Sequence, residues 1–219
     1  MGAMESLFKE WEKKVIGTDG DHFVKDGVIC KNGWKEAKTK VLFILKETND
    51  YEGSISELIN KAVTIRPKSK LWARPTFHNI GRWAYGLMNY PESINDYRNA
   101  HKSRKDALLS CSFINLKKTT GGRSVSKEKL EYHAEKYKNE LRKQIEIIAP
   151  DIIVFGGTFK TVRDQVLEKG ELKHVAHRIH EFDGITCINA NHPACTKKRT
   201  DMYDQVVQSY HKYLDTKKK

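Results

Sequence analysis

The stretch that decides the fold is VLFILKETND, residues 41–50, in which five apolar residues are followed directly by polar ones. A continuous apolar run of this length is typical of a parallel strand covered on both faces, because a strand with one wet face alternates apolar and polar residues. The abrupt change after Leu45 then marks the carboxyl end of the strand. In an open α/β sheet, functional loops gather at that end.

Three further apolar runs have a similar length, at residues 111–116, 152–155 and 185–190. Helical patterns separate the runs, because apolar residues recur every three or four positions after Thr76, after Ser126 and after Thr200. Strands that alternate with helices predict an α/β fold. We expect a three-layer α/β/α sandwich with a central mainly parallel sheet of about four strands.

The segment before the first run, residues 4–40, contains weaker signals. We expect a peripheral helix from Met4 to Val15 and a small hairpin over residues 22–31 that turns at Asp26-Gly27.

No Gly/Ser- or Pro-rich linker divides the 219 residues, so we expect a single domain over residues 1–219. Residues 1–3 resemble an expression scar in front of a native start. Residues 215–219 form a basic tail, which we interpret as solvated surface without a specific function.

The charge balance favours nucleic acid as the partner. Forty Lys and Arg against 28 Asp and Glu give a formal charge of +12, and a positive field concentrates polyanions. No apolar stretch is long enough to span a bilayer, and no signal peptide is recognisable. We therefore expect a cytoplasmic protein, associated with the nucleoid if prokaryotic, that binds DNA as a monomer, without a membrane or an obligate protein partner.

The four cysteines form no C-x-x-C pair, which argues against a zinc ribbon or an iron–sulfur cluster. We expect no metal and no cofactor.

Polar candidates follow the first two apolar runs. Glu47, Asn49 and Asp50 come after the first run and can position a water molecule. Asn115 lies in the second run, and its amide offers the donor and the acceptor that suit the edge of a pyrimidine. Taken alone, the residues after the first run are equally explained as an ordinary strand-to-loop boundary. Asn115 is equally explained as a buried side chain that satisfies backbone groups.

The last two runs are also followed by candidates. Gly156-Gly157-Thr158 brings small residues, amides and a hydroxyl to a place where a phosphate can dock, although Gly and an N-cap Thr are common in loops. His192-Pro193 precedes the cations at 197–199, although a lone histidine is more often structural. Because all four sets fall at the same edge of the predicted sheet, they favour one site.

The order of these motifs resembles that of the uracil-DNA glycosylase superfamily, over residues 41–210. The most specific match is RPTFHNI, residues 74–80, which is similar to the family's P-P-S-L-x-N-I segment that contacts a DNA phosphate. Glu47 falls on the Asp of the family's first motif, which orients the attacking water. The segment Phe113-Ile114-Asn115 resembles the family's L-L-L-N strand, whose Asn reads the base edge.

Two later loops extend the resemblance. Gly156-Gly157-Thr158 is similar to the family's W-G-S loop, and His192-Pro193-Ala194-Cys195 to its H-P-S-P-L loop, whose His stabilises the leaving base.

The resemblance implies a monofunctional DNA glycosylase that hydrolyses the N-glycosidic bond of a flipped-out pyrimidine. Its catalytic residues would be Glu47, Asn49 and His192. Asn115 would bind the base edge and Trp72 would stack on the base, with Phe77 as the less favoured alternative. The residues expected to hold the DNA are Arg74, Pro75, Thr76, Gly157, Thr158, Lys197, Lys198 and Arg199.

Departures from the family pattern bear on the substrate. Asn49 falls where the best-known enzymes use a Tyr to block substituents at pyrimidine C5, which motivates the hypothesis of a C5-modified base. Leu45 and Lys46 replace a Gly-Gln pair, and cations replace an apolar wedge at residues 197–199. The candidate roles are DNA repair and antiviral defence against modified viral DNA.

Two alternatives remain open at this point. One is a non-catalytic module that binds uracil-containing or modified DNA in the same pocket. The other is a hydrolase on a similar sheet that acts on RNA or nucleotides.

Overall fold

A computed structural model describes residues 2–48, 51–66, 68–120 and 124–218. Its strands are β1 Gly27–Val28, β2 Val41–Leu45, β3 Cys111–Asn115, β4 Ile152–Gly156, β5 Lys173–Ala176, β6 Ile179–Phe182 and β7 Ile185–Ala190. Its α-helices are α1 Ala3–Val15, α2 Lys31–Glu36, α3 Ile55–Thr64, α4 Pro75–Met88, α5 Tyr97–Leu109, α6 Lys127–Lys136, α7 Lys138–Ile148, α8 Phe159–Thr161 and α9 Arg199–Lys217. A 3₁₀ turn, Lys70–Ala73, precedes α4, and a π-helical turn, Val162–Val166, continues α8.

The strands form one mixed sheet in the order β1-β3-β2-β4-β7-β6-β5. The four apolar runs are its central strands β3, β2, β4 and β7, which run parallel to one another. The predicted α/β class and the mainly parallel core of four strands are therefore confirmed. Their alignment places Asn115 opposite Leu45 and Gly156 opposite Ala190, so the four strands end at the same edge.

Three antiparallel strands extend the sheet at its two sides. β1 pairs with β3, while β6 pairs with both β5 and β7. The predicted hairpin over residues 22–31 is wrong, because β1 pairs with β3 and not within its own segment. Asp26 does not sit at an exposed turn but is buried, where it accepts a hydrogen bond from the backbone of Asn115.

Helices cover both faces of the sheet, which completes the three layers. On one face, α3, α4, α5 and α9 pack on the side chains that include Phe43 and Val154. On the other face, α1, α6 and α7 pack on those that include Leu42 and Ile153. The helix predicted from Met4 to Val15 is present but not peripheral, because Trp11 is completely buried in this second layer.

The periodic stretch after Ser126 forms two helices. The Ser126 hydroxyl caps α6 by accepting from the Lys129 amide, as its position before the apolar stripe predicts. Tyr137 leaves the helical conformation and separates α6 from α7. None of the helices in the described part of the chain combines the length and the apolar character needed to cross a bilayer.

Candidate active site

The carboxyl edge of the parallel strands is closely packed because two glycines end β4. A Cβ on Gly156 would lie 2.7 Å from Leu45 Cδ2 and 3.1 Å from Pro193 Cδ, and one on Gly157 would lie 2.9 Å from His192 Cβ. Gly157 also has φ +75°, which side chains rarely adopt. The glycines therefore let the loops after β2 and β7 converge across the end of β4.

Glu47 is the acidic group of this edge, and it is buried in an ion pair. Its side chain is 5% exposed, and its Oε2 lies 3.4 Å from Nζ of Lys117, which is 1% exposed. Burial is the main influence on the ammonium and lowers the pKa of Lys117, while Glu47 acts to raise it. Lys117 also donates to the carbonyl oxygens of Thr119 and Thr120, at 2.6 and 2.9 Å, which holds it in place beside Glu47.

The second carboxylate oxygen, Glu47 Oε1, is buried and accepts no hydrogen bond from the described residues. An unsatisfied buried acceptor costs about 1–3 kcal/mol, and in native proteins such a group usually has a functional explanation. Glu47 can therefore receive a hydrogen bond from a substrate or a water molecule at this oxygen.

Burial and a hydrogen bond within its loop give His192 a defined protonation state. Burial, and next the ammonium of Lys46, lowers the pKa of His192 below its ordinary value, so the ring is neutral near pH 7. Its Nδ1 accepts a hydrogen bond from the Ala194 amide at 3.2 Å. The proton of the neutral ring must then be on Nε2, which is left as a donor without an acceptor among the described residues.

Asn115 is oriented by a buried carboxylate. Asp26 Oδ2 accepts from the Asn115 backbone amide at 2.7 Å and from its Nδ2 at 3.3 Å. The Asp26 carboxylate also pairs with Lys118 Nζ, at 2.5 and 2.7 Å, and accepts from Gln144 Nε2 at 2.7 Å. A carboxylate only accepts, so the amide of Asn115 must turn its NH₂ toward Asp26 and leave Oδ1 as the free acceptor.

The start of α4 is tied to the His192 loop. Asn79 is buried, and its Nδ2 donates to the Pro193 carbonyl at 2.7 Å. Pro75 occupies the first turn of α4, and the Arg74 side chain makes no capping hydrogen bond. The first turn of α4 therefore has no side-chain cap, and its helix is joined through Asn79 to the loop that holds His192.

The two aromatic candidates differ in position. Trp72 lies in the 3₁₀ turn before α4, partly buried against the core, with the Lys105 ammonium 5.1 Å from its ring centroid. Its indole Nε1 is buried and has no acceptor among the described residues. Phe77 is 8% exposed and belongs to the core, so of the two, Trp72 is the more accessible to a base.

The residues predicted to bind DNA include both exposed and buried side chains. Lys197, Lys198 and Arg199 are exposed, in the loop after His192 and at the start of α9. Thr158, in contrast, is buried, and its hydroxyl donates to the Ile44 carbonyl at 2.8 Å, while the Gly157 amide donates to the Ala190 carbonyl at 2.9 Å. These two residues hold the strand ends together, and their phosphate contact stays a prediction that this geometry does not favour.

Comparison with known proteins adds no family name, because no family model matches the chain and neither does any curated protein. The likeness to uracil-DNA glycosylases therefore stays a prediction from the motifs.

The geometry does not test the predictions made for Asn49 and Asp50, because both lie outside the described residues. Within the described ranges, no three His, Cys, Asp or Glu side chains come together as metal ligands.

Two site residues were missed by sequence reasoning. Lys117 follows the second apolar run as directly as Lys46 follows the first, which is the signal that could have found it. Asp26 was placed in a turn, and no local pattern distinguishes it from an ordinary turn residue.

Three cavities lie away from this edge. The largest, about 830 Å³, is at the amino ends of β4 and β7, near Pro150 and Gly184. Two others, about 690 and 510 Å³, lie beside α1 and beside α9. None of the three is lined by Glu47, Asn115 or His192. The candidate site is thus an edge where polar groups converge, and of its residues Asp26 also lines the cavity beside α1.

Proposed function

We propose that the chain is a DNA glycosylase that hydrolyses the N-glycosidic bond of a flipped-out pyrimidine, either uracil or a C5-modified pyrimidine. One observation carries this proposal: Glu47 Oε1, a buried carboxylate oxygen with no donor among the described residues, and His192 Nε2, the donor of a neutral imidazole, occur at the same edge of the sheet. Cleavage of an N-glycosidic bond needs these two partners, one for each charge that develops.

The chemistry follows from the two groups. As the bond between C1′ and the base nitrogen breaks, its electron pair leaves with the base and the sugar becomes cationic. His192 would donate from Nε2 to the anionic base, while the Glu47 carboxylate would stabilise the sugar. A water molecule held at Glu47 Oε1 would attack C1′ and give its proton to the carboxylate. Asn49 would assist in holding this water.

Base recognition would use the oriented amide of Asn115. Its free Oδ1 would accept a hydrogen bond from an N–H group on the pyrimidine edge, and Trp72 would stack on the ring. An acceptor at this place suits the N3–H of uracil and also the amino group of a cytosine.

DNA binding would offset the cost of base flipping, which is a few kcal/mol. The candidates for this grip are the start of α4, with Arg74, Pro75 and Thr76, and the exposed cations Lys197, Lys198 and Arg199. We place the protein in the cytoplasm, on the nucleoid if the cell is prokaryotic, acting as a monomer in repair or in defence against modified viral DNA.

The decisive experiment incubates the protein with duplex and single-stranded DNAs that contain uracil, 5-substituted uracils or modified cytosines, and measures abasic sites and released bases. Glu47→Gln should lower base release about 10²- to 10⁴-fold while DNA binding is retained. Glu57→Gln, which alters an exposed glutamate paired with Lys61, is the matched control and should leave base release unchanged.

Other outcomes would point to the rival functions. Binding of modified DNA by the wild type without any released base would identify a non-catalytic module. Cleavage of nucleotides or RNA but not of DNA would identify a different hydrolase.

The C5 hypothesis is tested separately with Asn49→Tyr. A tyrosine there should reduce release of bulky 5-substituted bases far more than release of uracil. Equal loss on both substrates would discard the hypothesis of an open C5 position.

A further inference from the structure

Five basic side chains come together on α4, α5 and α9, beside the loop that holds His192. We call His78, Arg82, His101, Arg104 and Arg199 the cationic cluster, in which the three arginines carry the positive charge near neutral pH. Only Arg199 was expected from the sequence to touch DNA.

The helices build this cluster by close packing. His78 and Arg82 are one turn apart on α4, and His101 and Arg104 are one turn apart on α5. The two helices meet at Gly81, where a Cβ would lie 2.1 Å from the Arg104 carbonyl oxygen. The rings of His78 and His101 are consequently 5.1 Å apart.

The start of α9 closes the cluster. Arg82 Nη1 donates to the Arg199 carbonyl at 3.3 Å, so Arg82 reaches the first residue of α9. Asn79, on the same helix as Arg82, donates to the Pro193 carbonyl and joins this region to the His192 loop.

The positive charge of the cluster is poorly compensated. Among the residues that the structure describes, none of the five forms an ion pair with a carboxylate. The Nε atoms of Arg82 and Arg104 are buried and have no acceptor. Arg82 has the Tyr203 ring 5.7 Å from its Cζ, and Asp204 acts on it electrostatically, but the Asp204 carboxylate accepts from Tyr97.

Mutual repulsion is visible in the protonation of the cluster. Burial, followed by Arg104 and Arg199, lowers the pKa of His78 to about 4. Burial and then Arg199 also lower the pKa of Arg82 and of Arg104. Guanidinium groups brought together without an acid are unfavourable unless an anion joins them.

The members of the cluster differ in exposure. Arg199 and His101 are exposed and His78 and Arg104 are half-buried, whereas Arg82 is 4% exposed. A ligand can therefore meet the cluster from solvent at Arg199 and His101.

We propose that the cationic cluster binds a phosphate group of a nucleic acid strand. Guanidinium groups suit phosphate because their planar N–H pairs match two of its oxygens. Arg82 lies about 10 Å along α4 from Pro75, so a strand whose phosphate docks at the start of the helix can place another at the cluster. That the phosphate belongs to DNA rests on the proposed function, whereas the phosphate site itself does not.

The test measures binding of an unmodified oligonucleotide, which contains no base to be released. Arg104→Gln and Arg199→Gln should each weaken binding about tenfold and reduce the slope of log K against log salt by about one. Arg163→Gln is the matched control, since Arg163 is an exposed arginine in the π-helical turn on the other face of the sheet, and it should change binding less than twofold. Arg199 is exposed, so its variant keeps the test valid if Arg104→Gln fails to fold by circular dichroism.

A second measurement addresses the site directly. Inorganic phosphate should shift the NMR signals of the His78 and His101 rings at concentrations that leave His177, an exposed ring elsewhere, unshifted. Oligonucleotides with and without a 5′-phosphate then separate two sources of the ligand. A loss of affinity without the terminal phosphate identifies a strand end, and equal affinity identifies an internal phosphodiester.

Failure of this inference differs from failure of the proposed function. Unchanged oligonucleotide binding in both arginine variants, with no shift of the two rings, would overturn the phosphate site even if bases are released. Weakened binding in both variants would support the site even if no base is released from any substrate.

Discussion

Glu47 and Lys117 form a buried pair in which each side chain needs the other. The two side chains are 5% and 1% exposed, so water stabilises neither charge. Lys117 also donates hydrogen bonds to two backbone carbonyls. Oε2 of Glu47 faces the ammonium of Lys117, while Oε1 accepts no hydrogen bond from the described residues. A buried carboxylate that is still open to one hydrogen bond suits the role of a general base.

Replacing Lys117 should therefore reduce both activity and stability. In Lys117→Met the ammonium beside Glu47 is lost, so the carboxylate is no longer held in place and base release should fall about 10²-fold. The variant should also lose about 3–5 kcal/mol of stability, because an unpaired charge stays buried. Base release and urea unfolding measure the two effects.

The control is Lys61→Met, which breaks the exposed pair of Lys61 with Glu57 and should cost about 0.5 kcal/mol or less. A folded Lys117→Met protein that releases bases at the wild-type rate would show that Lys117 does not position Glu47.

Among the elements, α4 connects most of the functional parts. Its second turn adjoins the His192 loop through Asn79, its middle packs on α5 at Gly81, and its end packs on α9 at Gly86. Small residues at the two crossings allow this approach. The helix thus positions both the candidate active site and the cationic cluster.

Asn79→Ala should reduce activity more than its effect on stability explains. The Pro193 carbonyl would lose its donor, and a loop displaced by about 1 Å can cost about 10²-fold in rate. Base release and thermal unfolding should be measured together. Asn60→Ala provides the comparison, because it removes a similar bond to the Ile29 carbonyl away from the site and should cost stability alone. Equal effects of the two variants on base release would contradict the positioning role of Asn79.

Gly81→Ala should separate α4 from α5. The added Cβ would meet the Arg104 carbonyl at 2.1 Å, and backbone cannot move aside as a side chain can. We expect a loss of about 3 kcal/mol or more, at the upper end of overpacking effects, together with weaker oligonucleotide binding. Gly86→Ala should cost less, because its nearest contact, at 2.4 Å, is the Val207 side chain. A Gly81→Ala protein as stable as wild type would mean that the helices are not so close.

At the scale of the whole molecule, buried and half-buried histidines link stability to pH. Burial lowers the pKa of His78 and His133 to about 4 and also lowers those of His180, His192 and His211. Between these values and about 6.5, the unfolded chain binds more protons than the folded one, so stability falls as the pH drops through this range.

His133 gives the clearest test because only 2% of it is exposed. Its shift corresponds to about 2 kcal/mol lost between pH 7.5 and pH 5. His133→Leu should shrink the difference in unfolding free energy between these two pH values by about that amount, as measured by urea denaturation. The control His177→Leu replaces an exposed ring and should leave this difference in unfolding free energy as in wild type. An unchanged difference in His133→Leu would contradict the effect of burial on His133.

The elements predicted from the sequence are those with a strong local pattern. The central strands are short apolar runs, and α1, α4 and α9 have apolar residues at helical spacing, so each could be read without its neighbours. β5 is largely exposed and β1 has only two residues, and neither leaves such a pattern. The helices α3 and α5 also went unpredicted, and the single periodic stretch after Ser126 proved to be two helices.

By itself, the sequence determined the α/β class, the order of the central strands along the chain and the edge at which Glu47, Asn115 and His192 would lie. Those follow from apolar runs of strand length and from the rule that parallel strands end together. Only the tertiary structure decided the partners of these residues. The Glu47–Lys117 pair, the turn of the Asn115 amide toward Asp26 and the cationic cluster all join side chains from distant segments. Burial and hydrogen bonding between such segments leave no periodic signal in the chain.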